Sequence, residues 1–259
     1  MIYSYGITLL ILCPLIFLAA FIDSIAGGGG LISLPAYLFV GIPIHTASAT
    51  NKFSASLGTL IAVINYLRGG FINFHIAITA CLGAFLGAWV GTQFALSLSP
   101  RVLQICVMAI LPLVGIFLLL RRDKESSSPK KPIALKPKLI ISFFIGLILG
   151  CYDGFFGPGT GMFLTIALSA IVRLELIKAV GTAKIINFSS NLVSMITWFI
   201  NGKIFFPIAI PCMFCSAIGG YLGSRMAMKT GKKIIRPILI FVAIMLFLKI
   251  IFDLIPKIS

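Results

Sequence analysis

The chain has 259 residues, of which 59% are hydrophobic and only 10% are charged, and its mean hydropathy is +1.13. These values exclude a soluble globular domain and indicate a membrane protein with several crossings. The formal net charge of +15 would also suit a nucleic-acid-binding protein. Most of the basic residues are predicted below to lie on one membrane face, so we expect no nucleic-acid partner.

Apolar runs of about 20 residues, the length that crosses a bilayer, predict the long helices of the chain. Two shorter runs predict either tilted spans or half-helices. No basic segment precedes the first run, so we expect a retained helix and not a cleaved signal peptide. The long helices are predicted at 7–22, 46–66, 72–96, 102–120, 138–152, 178–200, 205–227 and 235–255, and the short ones at 31–42 and 161–172.

The second half of the chain repeats the first. Asp23 matches Asp153 at an offset of 130 residues, and later segments match at an offset of 132. Between the copies, residues 121–138 are rich in charge, serine and proline, which is typical of a solvated linker. We therefore predict a first transmembrane repeat at 1–120, a basic linker at 121–138 and a second transmembrane repeat at 139–259. The segments that match at 132 are "TASATNK" with "KAVGTAK", "NYLRGG" with "TWFING", and "GAWVGT" with "GGYLGS".

The positions of lysine and arginine predict how the two copies are oriented, because cytoplasmic loops carry an excess of both. An odd number of crossings per copy places 14 of the 21 basic residues on the side of the linker. An even number would place the cluster from Lys229 to Arg236 opposite the linker. We therefore predict an all-α polytopic membrane protein of two inverted-topology repeats, with about 8 to 10 transmembrane segments including short or broken helices. In this arrangement the linker is cytoplasmic and both termini lie outside.

Glycine-rich turns interrupt the apolar sequence of each copy. "GGGG" at 27–30 and "GPGTG" at 157–161 each precede a short apolar helix, whose first turn offers free backbone N–H groups and a positive dipole end. Such a helix end favours anions. Irregular backbone persists in hydrocarbon only where protein surrounds it or where it lines a cavity, so we expect the two turns to face each other near the midplane. Close packing of small residues is the alternative interpretation.

Lys52 and Lys184 occupy equivalent positions, each two residues after a threonine in an apolar helix. An intramembrane lysine costs about 2.5 to 3.5 kcal/mol on insertion, so the pair favours a cationic pocket for one anion, with snorkelling to the headgroups as the alternative. Asp23 and Asp153 would pair with the lysines, cap the glycine turns or accept a coupling proton. The candidate substrate-binding residues are Lys52, Lys184, Thr50, Thr182, Asn51, Gly28, Gly29, Gly30, Gly159, Thr160, Gly161, Asn187 and Asn191.

These motifs resemble the TauE/SafE family of bacterial membrane transporters, also called the toluene sulfonate uptake permease family. The matching segments are "DSIAGGGGLISLPA", "ATNKFSASLGT", "YLRGG", "DGFFGPGTG" and "GTAKIINFSSN". The resemblance implies a secondary transporter of sulfur-containing anions, such as sulfite or organosulfonates, in the bacterial cytoplasmic (inner) membrane. Proton coupling, a passive anion channel and a non-sulfur anion remain open. Pro158 and Thr160 interrupt the second glycine turn, so the halves need not contact the ligand symmetrically.

The sequence motifs do not indicate an enzyme. The chain has no HExxH motif and no serine elbow, and the CxxC formed by Cys212 and Cys215 has no second pair of metal ligands. We therefore expect no enzyme activity, no cofactor and no metal, and we interpret the six cysteines as small buried residues. The expected partners are the small anionic substrate and the lipid bilayer, with the chain as a monomer or homodimer.

Overall fold

The computed structural model describes residues 3–107, 109–110 and 134–230, and all regular structure among them is helical. The first half forms α1 Tyr5–Ala26, α2 Gly30–Phe39, α3 Ile44–Arg68 and α4 Phe74–Ser97. The second half forms α5 Leu135–Phe155, α6 Thr160–Ala170, α7 Leu176–Ile200 and α8 Phe206–Thr230. Residues 100–107 and 109–110 are also helical. The predicted all-α class is confirmed.

Three sequence predictions lie wholly or partly outside the described residues. They are the helix at 102–120 beyond residue 110, the linker at 121–138 up to residue 133, and the helix at 235–255.

Four helices, α1, α4, α5 and α8, are long and apolar enough to cross a membrane. Helices α3 and α7 are equally long, at 25 residues each, but carry most of the polar residues singled out above. Helices α2 and α6, with 10 and 11 residues, correspond to the two short apolar runs. Each glycine turn therefore separates a long helix from a short one, as predicted.

Many large apolar side chains face outwards, while a set of polar and charged ones lies inside. Lys52 and Lys184 are only 6% and 1% exposed. Exposed apolar side chains on long helices suit contact with lipid tails. Apolar side chains that are more than half exposed include Ile78, Leu82, Trp89, Ile140, Ile148, Phe214 and Ile218.

Small residues bring helices of the two halves into backbone contact. Glycines on α4 and α5 lie so close to the partner helix that a Cβ on any of them would overlap its backbone. On α8, Gly219 and Gly223 lie in the same way against Phe17 and Phe21 of α1. This is the tight packing that membrane helices achieve with small side chains. The glycines at the α4–α5 contact are Gly83, Gly87, Gly91, Gly146, Gly150 and Gly154.

Candidate functional site

The two glycine turns touch each other. Gly27 ends α1 in the left-handed conformation, with φ of 81°, and donates its N–H to the Asp23 carbonyl at 2.8 Å. A Cβ on Gly161 would lie 2.9 Å from the Cα of Gly27, and a Cβ on Gly30 would lie 2.9 Å from the Cα of Pro158. Only residues without a side chain permit this approach. The prediction that the turns face each other is confirmed: the first residue of α2 contacts the second turn, and α6 contacts the first turn through Gly161.

Two ion pairs link the halves beside these turns. The Lys52 ammonium lies 2.8 Å from the Asp153 carboxylate, and the Lys184 ammonium lies 2.6 Å from the Asp23 carboxylate. Each lysine thus pairs with the aspartate of the other half. Because both lysines are buried in protein, their positions argue against snorkelling.

Each carboxylate has a second hydrogen bond, and the two differ. Asp23 accepts a hydrogen bond from the backbone N–H of Gly29 at 3.2 Å, which holds the first glycine turn. Asp153 accepts one from the hydroxyl of Ser190 at 2.7 Å. Both ammonium groups are neutralised, so the four charged side chains have no net formal charge. Removing one partner of such a buried pair typically costs about 3 to 5 kcal/mol.

A central cavity lies against these pairs, bounded by α1, α2, α3, α7, α8, the second glycine turn and Asp153. The space open to the centre of a water molecule is about 50 Å³. One water needs roughly 10 to 15 Å³ of such space, so the cavity accommodates a few waters or one small ion. The predicted site residues that line it are Asp23, Gly29, Gly30, Asn51, Lys52, Asp153, Gly159, Thr160, Gly161, Asn187 and Asn191.

Four predicted substrate-binding residues do not line the central cavity: Lys184, Thr50, Thr182 and Gly28. Lys184 is 1% exposed and meets the cavity only through its partner Asp23. The Gly28 carbonyl accepts the Leu31 N–H at 3.1 Å within the turn.

Thr50 and Thr182 make equivalent contacts in the two halves. The Thr50 hydroxyl oxygen accepts the Phe205 N–H at 3.1 Å, and the Thr182 hydroxyl oxygen accepts the Asn73 N–H at 3.0 Å. The two donors immediately precede α8 and α4, whose first N–H groups have no partner within the helix. Each threonine therefore fixes the start of a helix in the opposite half.

The cavity also contains residues that sequence reasoning missed, among them Ser24, Ser33, Gly58 and Ser216. Ser216 lies on α8, three residues before Gly219. Its counterpart in the first copy is Ala84, so the repeat gave no signal for it. In the described part of the chain, no group of three or more His, Cys, Asp or Glu side chains is arranged to hold a metal.

Comparison with known proteins identifies the family. The sulfite exporter TauE/SafE family model matches residues 12–250. The chain belongs to this family. The TauE/SafE chain is 34% identical to a probable membrane transporter protein of Haemophilus influenzae, with 92% of each chain covered. It is 31% identical to the probable membrane transporter protein YfcA of Escherichia coli, with 91% of this chain and 87% of that protein covered.

A third relative, the probable membrane transporter protein ORF9 of Sinorhizobium sp, is 32% identical over 92% of this chain and 90% of its own. No solved structure matches the chain. The family and its relatives, together with the apolar helices, identify a multi-pass membrane transporter of the TauE/SafE family. The resemblance inferred from the sequence motifs is confirmed.

Proposed function

We propose that this TauE/SafE protein is a secondary transporter of a small sulfur-containing oxyanion, such as sulfite or an organosulfonate. The observation that supports this most is the central cavity, where Lys52, side-chain amides and the first residues of two helices converge. Amides donate hydrogen bonds to oxyanions, and helix N-termini favour negative charge. The cavity size suits one small anion.

Lys52 is the cation that a ligand in the cavity would meet, since Lys184 does not line it. Its ammonium is already paired with Asp153 at 2.8 Å. An anion therefore binds well only when Asp153 is displaced or protonated. Protonation of Asp153 removes the competing negative charge and leaves the Lys52 ammonium for the substrate, so anion and proton binding strengthen each other.

The other described groups around Asp153 do not replace it as the proton acceptor in this proposal. Asp23 lines the same cavity, but its partner Lys184 does not, so protonation of Asp23 would free no ammonium group for a ligand there. The hydroxyl of Tyr152 donates to the Pro158 carbonyl at 2.7 Å. With Asp153 as the acceptor, anion affinity rises as pH falls, and transport is proton-coupled.

Alternating access between two inverted repeats is the mechanism that we propose for the movement. The two halves contribute corresponding helices. Each ion pair and each threonine contact joins one half to the other, and each has an equivalent that runs in the opposite direction. Rocking of one repeat against the other would break and remake these contacts around a fixed site. We place the protein in the bacterial inner membrane, as a monomer or homodimer, with a cytoplasmic linker and both termini outside.

Uptake into proteoliposomes tests the function. We expect an inward proton gradient to drive accumulation of a labelled sulfonate above its external concentration, which a passive channel would not do. In a Lys52→Gln/Asp153→Asn double variant, which keeps the site neutral overall, uptake should be lost while the protein remains folded. The matched Lys184→Gln/Asp23→Asn variant removes the other ion pair and shows whether the loss of uptake is specific to the pair of Lys52 and Asp153. Normal uptake by a folded Lys52→Gln/Asp153→Asn protein would overturn the role of Lys52.

A further inference from the structure

The two halves differ at several equivalent positions near the cavity, including two where the second half carries a serine and the first half does not. Ser190 in the second half corresponds to Gly58 in the first, and Ala84 in the first corresponds to Ser216 in the second. The Ser190 hydroxyl donates to the Asp153 carboxylate at 2.7 Å. Ser216 lies against Gly58 and lines the central cavity. The second half therefore carries a hydroxyl at the cavity, that of Ser216, which has no equivalent in the first half.

The Ser216 hydroxyl is buried without a partner. The residue is only 1% exposed, and its Oγ has no hydrogen-bond partner among the protein atoms that the structure describes. Serines in helices usually bond the carbonyl four residues earlier, as Ser224 on the same helix bonds Gly220 at 2.7 Å. An unsatisfied buried hydroxyl is unfavourable, so its presence needs an explanation.

The unpartnered polar atoms of the described residues concentrate at this cavity. Three buried side-chain atoms of the described residues have no hydrogen-bond partner: Thr8 Oγ1, Asn51 Oδ1 and Ser216 Oγ. Asn51 and Ser216 line the cavity, and Thr8 does not. The Asn51 oxygen can only accept a hydrogen bond, so it offers nothing to an anion, whereas the Ser216 hydroxyl can donate to one.

We propose that Ser216 contacts the transported ligand directly, with its hydroxyl donating a hydrogen bond to an oxygen of the anion held at Lys52. The ligand then lies towards α1, α2 and α3 of the first half, off the axis that relates the two halves. This inference rests on the proposed function, because it takes the ligand to be an oxyanion. Ser216 is a specificity-determining residue that Ala84 cannot duplicate.

The test compares Ser216→Ala with Thr8→Val in the purified full-length protein. Both changes remove an unpartnered buried hydroxyl, so both should leave the melting temperature without ligand unchanged or slightly higher. Only Ser216→Ala should weaken binding of sulfite and methanesulfonate, by about tenfold or more, since a hydrogen bond to a charged group is lost. Ser216→Cys, which keeps the volume but donates weakly, should also bind more weakly than the wild type.

The possible outcomes separate this inference from the proposed function. Failure of the wild type to bind any sulfur oxyanion would overturn the function itself. Wild-type affinity in Ser216→Ala, with binding otherwise intact, would overturn only the role of Ser216. Weakened binding in the alanine variant alone, with normal binding in Ser216→Cys, would assign the effect to packing. A lower ligand-free melting temperature in Ser216→Ala would assign the hydroxyl to the fold and also contradict the inference.

Discussion

At the scale of single residues, the proposed binding of an anion at Lys52 depends on whether Asp153 is charged. The two side chains are nearly sealed in protein, at 3% and 7% exposure, and hold each other at 2.8 Å. A pair of this kind contributes little net stability, but breaking it leaves an uncompensated buried charge. In the mechanism that we propose, a substrate anion takes the place of this carboxylate beside Lys52.

Asp153→Asn should behave as a permanently protonated site. The amide keeps the shape and can still accept from Ser190, while the Lys52 ammonium loses its competitor. We expect tighter binding of methanesulfonate at neutral pH, together with a loss of stability of about 3 kcal/mol. The affinity of the wild type should rise as the pH is lowered and that of the variant should not, as measured by calorimetry.

Methanesulfonate is the anion of a strong acid, so its own titration does not confuse the result. Asp23→Asn is the matched control. Asp23 also lines the cavity, so this change removes a negative charge from the wall as well, but the lysine that it leaves unpaired, Lys184, does not line the cavity. Stability should therefore fall, with a smaller gain in affinity than in Asp153→Asn. An unchanged pH dependence in Asp153→Asn would contradict the assignment of Asp153 as the proton acceptor.

At the scale of helices, threonine contacts and glycine contacts fasten one half to the other. Thr50 and Thr182 hold the N–H groups at the starts of α8 and α4, and the glycines let α4 and α5 meet backbone to backbone. Sequence periodicity located these helices, but it could not say which helix each polar residue would hold. The threonine contacts join residues more than 100 positions apart and depend on how the halves pack.

Thr50→Val and Thr182→Val should each destabilise the protein by about 1 to 3 kcal/mol, because each leaves a backbone N–H without its acceptor. Affinity for methanesulfonate should remain near the wild-type value, since neither residue lines the cavity. Thermal unfolding and calorimetry on the same samples measure the two effects. Intact stability with lowered affinity would instead favour the substrate-binding role predicted from the sequence.

Gly87→Ala should disrupt the α4–α5 contact, because the new methyl group would overlap the Leu147 carbonyl. The expected loss is about 1 to 3 kcal/mol or more, seen as a lower melting temperature in detergent. Gly6→Ala is the control: Gly6 also lies in a helix, but a Cβ there meets nothing within 4 Å. Equal stability of the two variants would contradict the packing that we describe.

At the scale of the whole molecule, hydropathy and internal repetition predicted the helix order, the broken helices and the meeting of the two glycine turns. They also singled out Lys52 and Lys184, and gave pairing with these lysines as one of three alternatives for Asp23 and Asp153. They could not predict that each pair would cross between the halves, or that one lysine would face the cavity. The two lysines have the same sequence context, and only three-dimensional packing distinguishes them.

The asymmetry of the cavity could not be predicted from the sequence either. The sequence shows that Gly58 stands where the second half has Ser190, and that Ser216 stands where the first half has Ala84. Only the packing shows that Gly58 and Ser216 border the same cavity. The site consequently combines a symmetric frame with an asymmetric lining. A symmetric frame suits alternating access, and an asymmetric lining suits recognition of a ligand that has no twofold symmetry.

The most direct measurement is calorimetric binding of sulfite, thiosulfate, methanesulfonate and acetate to the purified protein and to the Lys52→Gln/Asp153→Asn variant. We predict selective binding of the sulfur oxyanions over acetate by the wild type, and its loss in the folded variant. Equal binding of all four anions, or sulfur-anion binding that survives in the variant, would contradict a sulfur-oxyanion site at Lys52.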